Sequence, residues 1–228
     1  MRRNRRALPV GAALVQTLAL CTLAARDAPT LHLATPTEVG VEVYAEGCAL
    51  VPRHGSGVAL GRHLVATAAH VVAGGTAVTV VEHDGTTHSA EIAALDTKRD
   101  AAVLRVRTLE RPPIRFGVLV AGETASYLGF AGAHPNTVIS VTVERAVPIA
   151  SEDIYIKDSY TRPGYQLHGD IVPGDSGAGV LSLRGALAAL IWAADRIAEQ
   201  EAFAVSTSVV TDLMPAVGAG PAAAVPCP

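Results

Sequence analysis

The sequence predicts an all-β protein of the sandwich or barrel kind. About a dozen short runs rich in β-branched and aliphatic residues lie between glycine, proline and polar turns. Several of these runs alternate apolar and polar residues with the period of two that a half-buried strand requires. Between them there is no long stretch with the 3.6-residue period of an amphipathic helix. With 228 residues, half of them hydrophobic, the chain can bury a substantial core.

Taken in order from Val39, the runs are VEVYA, GVAL, HLVATAAHVV, TAVTVVEH, SAEIAAL and AAVLRV, followed by ASYLGF, TVISVTVERAVPI, YQLHGDIV, AGVLSL, ALAALIWAA and AFAVSTSVV. The boundary between the two groups falls at RPPIRFG, where Pro112 and Pro113 cannot donate to a strand ladder. Two barrels follow from that division, at residues 30–116 and 117–215. The run from Val209 to Met214 reads as a short terminal helix, and residues 216–228 as a small, proline-rich tail. The apolar stretch Ala186 to Ala194 is too short to cross a bilayer and suits a buried strand. No internal repeat marks a solenoid or propeller.

The N-terminus reads differently. MRRNRR precedes an uncharged, mostly apolar run from Ala7 to Ala25, which gives way to Arg26, Asp27 and Pro29. Residues 1–25 thus have the layout of a signal peptide, with an uncleaved membrane anchor as the alternative. Cleavage after Ala25 lowers the basic count from 18 to 14 against 21 acids, taking the net charge from -3 to -7. With the remaining basic residues scattered, nucleic acid is not an expected partner. A secreted or extracytoplasmic location is expected, with membrane contact only if the leader is retained. Beyond Cys21 in the leader, two cysteines remain, and Cys48 and Cys227 in an exported chain suggest one disulfide.

The chemistry is concentrated in three places. Acyl transfer by a hydroxyl needs a base to take its proton, a carboxylate to orient that base, and donors for the developing oxyanion. Ser176 lies in VPGDSGAG, where Gly174, Gly177 and Gly179 allow a tight turn around an exposed nucleophile. The amides of Gly174 and Ser176 would form the oxyanion hole. His70 ends LVATAAH, where small neighbours leave room for an imidazole, and Asp100 opens RDAAVLRV, just ahead of a buried-looking strand. Asp96 is the rival carboxylate, but only Asp100 directly precedes the AAVL strand.

The chain order His, Asp, Ser discriminates further. An α/β-hydrolase places its histidine after the serine, and the last histidine here is His168; a subtilisin-like order needs an aspartate ahead of His70, and only Asp27 precedes it. No HExxH occurs, and His83, Asp84 and His88 read as a solvated turn, so no metal is expected. The chemistry calls for no cofactor.

The blocks GSGVAL, TAAHVV, RDAAVL and PGDSGAG resemble the signature of trypsin-like serine proteases over nearly all of the mature chain. The resemblance implies a chymotrypsin-like double barrel, two six-stranded antiparallel β-barrels with the site between them. It also implies a protein or peptide substrate cleaved by His70, Asp100 and Ser176. More narrowly, Cys48, the stretch DIYIKDSYTRPGYQLHGDIVPGDSGAG and the terminal Cys227 resemble the protease domain of the mycobacterial periplasmic acid-resistance proteases and their actinobacterial relatives. Those relatives carry several membrane spans ahead of the protease domain, where this sequence shows one apolar run, and GDSGGP reads GDSGAG here. By the same resemblance Asp175 shapes the oxyanion loop. No IVGG-like start occurs, so a cation other than a freed N-terminus is expected to pair with it. Asp170, six residues before Ser176, takes the place of the primary-pocket aspartate of proteases with basic specificity. An esterase with the same triad and a catalytically silent binding module on the same fold are the alternatives.

Overall fold

The computed structural model describes residues 33–48, 50–130, 135–194, 200–219 and 224–228; the leader and Cys21 lie outside these residues. Among the described residues twelve strands build two rings. In the first, β1 (Gly40–Glu46), β2 (Arg53–Gly61), β3 (Leu64–Thr67), β4 (Ala77–Glu82), β5 (Thr87–Asp96) and β6 (Ala101–Arg105) close in the order β1-β2-β3-β6-β5-β4. In the second, β7 (Thr124–Gly129), β8 (Thr137–Glu152), β9 (Ser159–His168), β10 (Gly179–Ser182), β11 (Leu187–Ala194) and β12 (Glu201–Ser206) close as β10-β11-β12-β9-β8-β7. Read from β7, the second ring repeats the winding of the first strand for strand. All neighbours within each ring are antiparallel.

Inward-facing side chains fill each ring. Val41, Val43, Val65, Val80 and Leu104 occupy the first, and Tyr127, Val141, Val143, Leu167, Val180 and Ile191 the second. Leu181, Leu187, Leu190 and Val205 of the second ring instead join the core of the first, together with Val209, Val210 and Leu213 of the short helix Ser208–Leu213. The two barrels are therefore fused through a shared apolar layer, each fully buried Leu or Val contributing about 1.5–3 kcal/mol. The linker around Pro112 and Pro113 is stitched to both: Ile114 N–H donates to Leu60 O, and Leu187 N–H donates to Arg115 O.

Three local features differ from the sequence reading. HLVATAAHVV is not one strand: β3 stops at Thr67 and a single helical turn, α2, takes Ala69–Val72. Ahead of β1 a further turn, α1 (Pro36–Val39), is closed by a capping box in which Glu38 Oε2 accepts from Thr35 N–H at 2.9 Å. The strand signalled by YQLHGDIV begins six residues earlier, at Ser159, and ends at His168, because Pro163 and Pro148 pair opposite each other in the β8–β9 ladder. Neither needs an N–H there. The pairing of β12 with β9 stops at Gly164 and that of β7 with β8 at Thr142, so no third strand faces either proline.

Candidate active site

His70 is presented by the α2 turn, packed among the fully buried Ala68, Ala69, Val71 and Val72. Asp100 stands at the start of β6 with φ +57°, a left-handed conformation that aspartate tolerates better than most side chains. Its carboxylate reaches across to α2. Oδ1 accepts the His70 backbone N–H at 2.8 Å, and Oδ2 accepts from His70 Nδ1 at 2.7 Å. Fixing the Nδ1 proton toward Asp100 leaves Nε2 as the basic nitrogen. The imidazole is one-third exposed, 36 %, whereas the Asp100 carboxylate is 4 % exposed.

The electrostatics follow from that pairing. Burial pushes the imidazolium toward losing its proton, but the charge of Asp100 and its hydrogen bond outweigh burial and raise the His70 pKa above the ordinary value. Burial alone would raise the Asp100 pKa, yet His70 and the bonds to it hold the carboxyl below the usual range. Asp96 does not compete. Its Oδ2 takes Arg99 Nε at 2.6 Å, and its Oδ1 accepts the backbone N–H groups of Lys98 and Arg99.

Ser176 comes from the second barrel, on the turn between β9 and β10. Gly174 and Gly177 adopt φ +101° and +88° there. A Cβ on Gly177 would lie 2.3 Å from Ser56 O and 2.4 Å from Thr67 Oγ1, so only glycine lets the turn approach the first barrel this closely. Ser56 holds it in place, donating through Oγ to Gly174 O and through N–H to Ser176 O, both at 2.9 Å. The Asp175 N–H is used by Val172 O and the Gly177 N–H by Ile191 O. The N–H groups of Gly174 and Ser176, on either side of Asp175, have no acceptor among the described residues. Ser176 Oγ lies 3.4 Å from Trp192 O.

Asp175 is fully buried, and its Oδ2 accepts from two neutral donors, the Tyr127 hydroxyl at 2.7 Å and the Val172 N–H at 3.1 Å. Burial, then the adjacent Asp175 charge, drive the Tyr127 phenol pKa far upward, so it remains a donor. Asp170 is exposed, with its backbone carbonyl 3.5 Å from the Tyr127 hydroxyl. Cys48 and Cys227 are disulfide-bonded beside Gly74, just past the His70 turn. His88 is not in a solvated turn: it is buried in β5, with Nδ1 2.7 Å from Thr108 Oγ1 and Nε2 2.8 Å from Glu82 Oε1.

Sequence reasoning missed Ser56, Tyr127, Arg162 and Trp192. Trp192 sits in a run read only as a buried strand, although it is the sole tryptophan in the chain. Arg162 carried no signal, flanked by polar residues and Pro163.

Residues 55–190, more than half of the chain, match the family model for the trypsin-like peptidase domain. Serine protease Rv3671c of Mycobacterium tuberculosis is 28 % identical over 194 residues, covering 84 % of this chain and 48 % of that protein. Putative serine protease HhoB of Synechocystis is 32 % identical over 124 residues, 53 % of this chain and 29 % of that one. The chain thus spans about half the length of the Mycobacterium relative, or less in the other case. The crystal structure of the Rv3671c protease in its active form superposes with a TM-score of 0.78 at 26 % identity, covering 84 % of this chain and 86 % of that one. The inactive form gives 0.69, covering 80 % and 90 %. With both barrels, the match over the serine loop and these relatives in agreement, the chain belongs to the trypsin-like peptidase family of serine proteases.

Proposed function

We propose that this chain is an exported serine endopeptidase that cleaves peptide bonds through an acyl-enzyme. The observation that carries the reading is the His70–Asp100 pairing at 2.7 Å, set against a serine loop whose two amides at Gly174 and Ser176 lack acceptors among the described residues. The higher superposition score with a relative's active form supports it. In the proposed cycle, Ser176 Oγ rotates from the Trp192 carbonyl to His70 Nε2, gives up its proton there and attacks the substrate carbonyl carbon. The oxyanion that forms takes hydrogen bonds from the Gly174 and Ser176 N–H groups. Imidazolium, stabilised by Asp100, returns the proton to the leaving amine as the C–N bond breaks. Water, deprotonated by His70, then attacks the acyl carbon, and His70 returns the proton to Ser176 Oγ as the acyl–oxygen bond breaks, releasing the acid. In this scheme residues 1–25 direct export or anchor the chain, and the disulfide is consistent with an oxidising compartment.

A fluorophosphonate probe followed by peptide mapping tests the nucleophile, and a peptide library tests the substrate class. Labelling at Ser176 with peptide cleavage that Ser176→Ala lowers by several orders of magnitude is expected. Ester but not peptide turnover would make the chain an esterase. Near-normal turnover in Ser176→Ala would overturn the assignment.

A further inference from the structure

The register of β11 against β12 slips between Ile191, opposite Ala204, and Ala193, opposite Phe203, leaving Trp192 as the bulged residue. A bulge re-aims the side chain it carries. Here the indole turns toward the first barrel, and its Nε1–H donates to Asp100 Oδ2 at 2.9 Å, the same oxygen that accepts from His70 Nδ1. Arg162, on β9, lies over the indole face with its guanidinium carbon 4.8 Å from the ring centroid. That arginine is 0 % exposed. Nη2 donates to Ser151 Oγ at 2.7 Å and to Glu152 O at 2.9 Å, whereas Nε and Nη1 find no acceptor among the described residues. A guanidinium buried with two N–H-bearing nitrogens unsatisfied is costly, and no ion pair among the described residues explains its burial.

We propose that Trp192 is a positioning residue of the site: its indole N–H fixes and shares the charge of Asp100, while the buried guanidinium of Arg162 braces the indole from behind. The proposal rests on the reading of His70 and Asp100 given above. Two donors on Oδ2 and one on Oδ1 leave the carboxylate little freedom to rotate away from the imidazole. The indole also draws off part of the negative charge that Asp100 presents to His70. The charged groups facing His70 are Asp100, Arg53 and Arg162; those facing Asp100 are His70 and Arg162; those facing Arg162 are Asp100 and Asp96. Of these, Asp96 is already engaged by Arg99. Arg162 and the indole therefore act in the same direction, limiting how strongly Asp100 holds a proton on His70. That restraint keeps the base available at a lower pH than an isolated Asp–His pair would.

The chain holds one tryptophan, so its indole N–H gives one NMR resonance, which can be followed beside the His70 imidazole from about pH 5 to pH 8. Measured in a Ser176→Ala background, these titrations do not depend on Ser176 being the nucleophile. The indole resonance is expected to move with the His70 midpoint. Trp192→Phe keeps the stacked ring and loses the donor, and Arg162→Met removes the cation. Each should raise the His70 midpoint by about half a pH unit or more. With Ser176 restored, the acid limb of kcat/KM should move the same way, and kcat should fall about fivefold or more. An indole resonance indifferent to His70, or an unchanged His70 midpoint in folded Trp192→Phe, overturns the proposal. A merely structural tryptophan would lower the melting temperature without moving either titration. If the wild type lacks Ser176-dependent turnover, the protease reading fails, while the titrations still decide the role of Trp192.

Discussion

Ser56, on the first barrel, holds Gly174, on the second, by a single hydroxyl-to-carbonyl bond of 2.9 Å. Through it the first barrel sets the orientation of the peptide that precedes the proposed oxyanion donors. Ser56 is fully buried, so Ser56→Ala leaves the Gly174 carbonyl without its donor, at about 1–3 kcal/mol. The backbone bond from Ser56 N–H to Ser176 O persists, so the fold survives. Expected is a kcat lowered about tenfold or more with little change in KM, since the loss falls on transition-state stabilisation. Equal kcat in the two proteins would show that the loop holds its shape without Ser56.

Tyr127 plays the matching part from beneath the loop. Tyr127→Phe removes a phenol donor from a fully buried carboxylate and should cost about 1.5–3 kcal/mol of stability. Thermal unfolding measures that cost. Because Asp175 lies between the two proposed oxyanion donors, Gly174 and Ser176, kcat should fall as well, whereas a purely structural tyrosine would leave kcat intact below the melting transition.

The strand framework was legible because inward and outward residues alternate where one face is buried, as in β1 and β7. The candidate residues could be named because small residues and glycines surround His70 and Ser176 and an aspartate directly precedes AAVL; of these, the structure pairs His70 with Asp100. What holds these groups was not legible. Ser56, Tyr127, Arg162 and Trp192 make their bonds and ring contacts across the fold, and nothing in their neighbours along the chain distinguishes them from ordinary strand residues. Asp175 was legible as a loop carboxylate. That its Oδ2 is met by a phenol and an amide depends on how β7 curls beneath the loop.

The disulfide closes a separation of 179 residues beside the turn that carries His70. In the chain-entropy view its removal by Cys48→Ser with Cys227→Ser costs up to about 4 to 5 kcal/mol. The double variant should therefore melt lower, and proteases should cut its tail, residues 224–228, sooner than in wild type. Melting alone does not separate the two effects, so mass spectrometry of limited digests is the deciding measurement. A double variant with wild-type melting and an intact tail would refute the claim.

The raised His70 pKa gives opposite pH trends for activity and stability. General-base catalysis needs neutral imidazole, so the acid limb of kcat/KM should lie above the ordinary value of about 6.5. The protonated pair with Asp100 is favoured by folding, and its contribution is fully present below the unfolded pKa near about 6.5 and lost as pH rises through the higher folded value. Asp100, depressed in the fold, contributes above its unfolded pKa of about 3.9 and loses that contribution as pH falls through the folded value. Activity and urea midpoints measured across this range should diverge between pH 6 and 8, about where histidine titrates. Parallel curves would mean that another group sets the acid limb.

For Asp170 as the proposed specificity carboxylate, its exposure limits how much it can contribute. A carboxylate sealed in a pocket would reject uncharged side chains by several kcal/mol, because the charge would be left dry and unpaired. Asp170 is instead open to solvent two residues past the end of β9. Water screens its attraction for a substrate arginine, and exposed ion pairs yield at most about 1 kcal/mol, a factor of about five in kcat/KM. Matched substrates with arginine, leucine or alanine before the scissile bond should therefore show an arginine preference of a few fold in wild type, at low salt. Asp170→Ser should abolish it, and raising the ionic strength should erode it in wild type alone. A preference of a hundredfold or more would require a desolvated carboxylate at the pocket base and place the specificity determinant elsewhere. No preference at all, or one unchanged by Asp170→Ser, would remove Asp170 from the substrate's path.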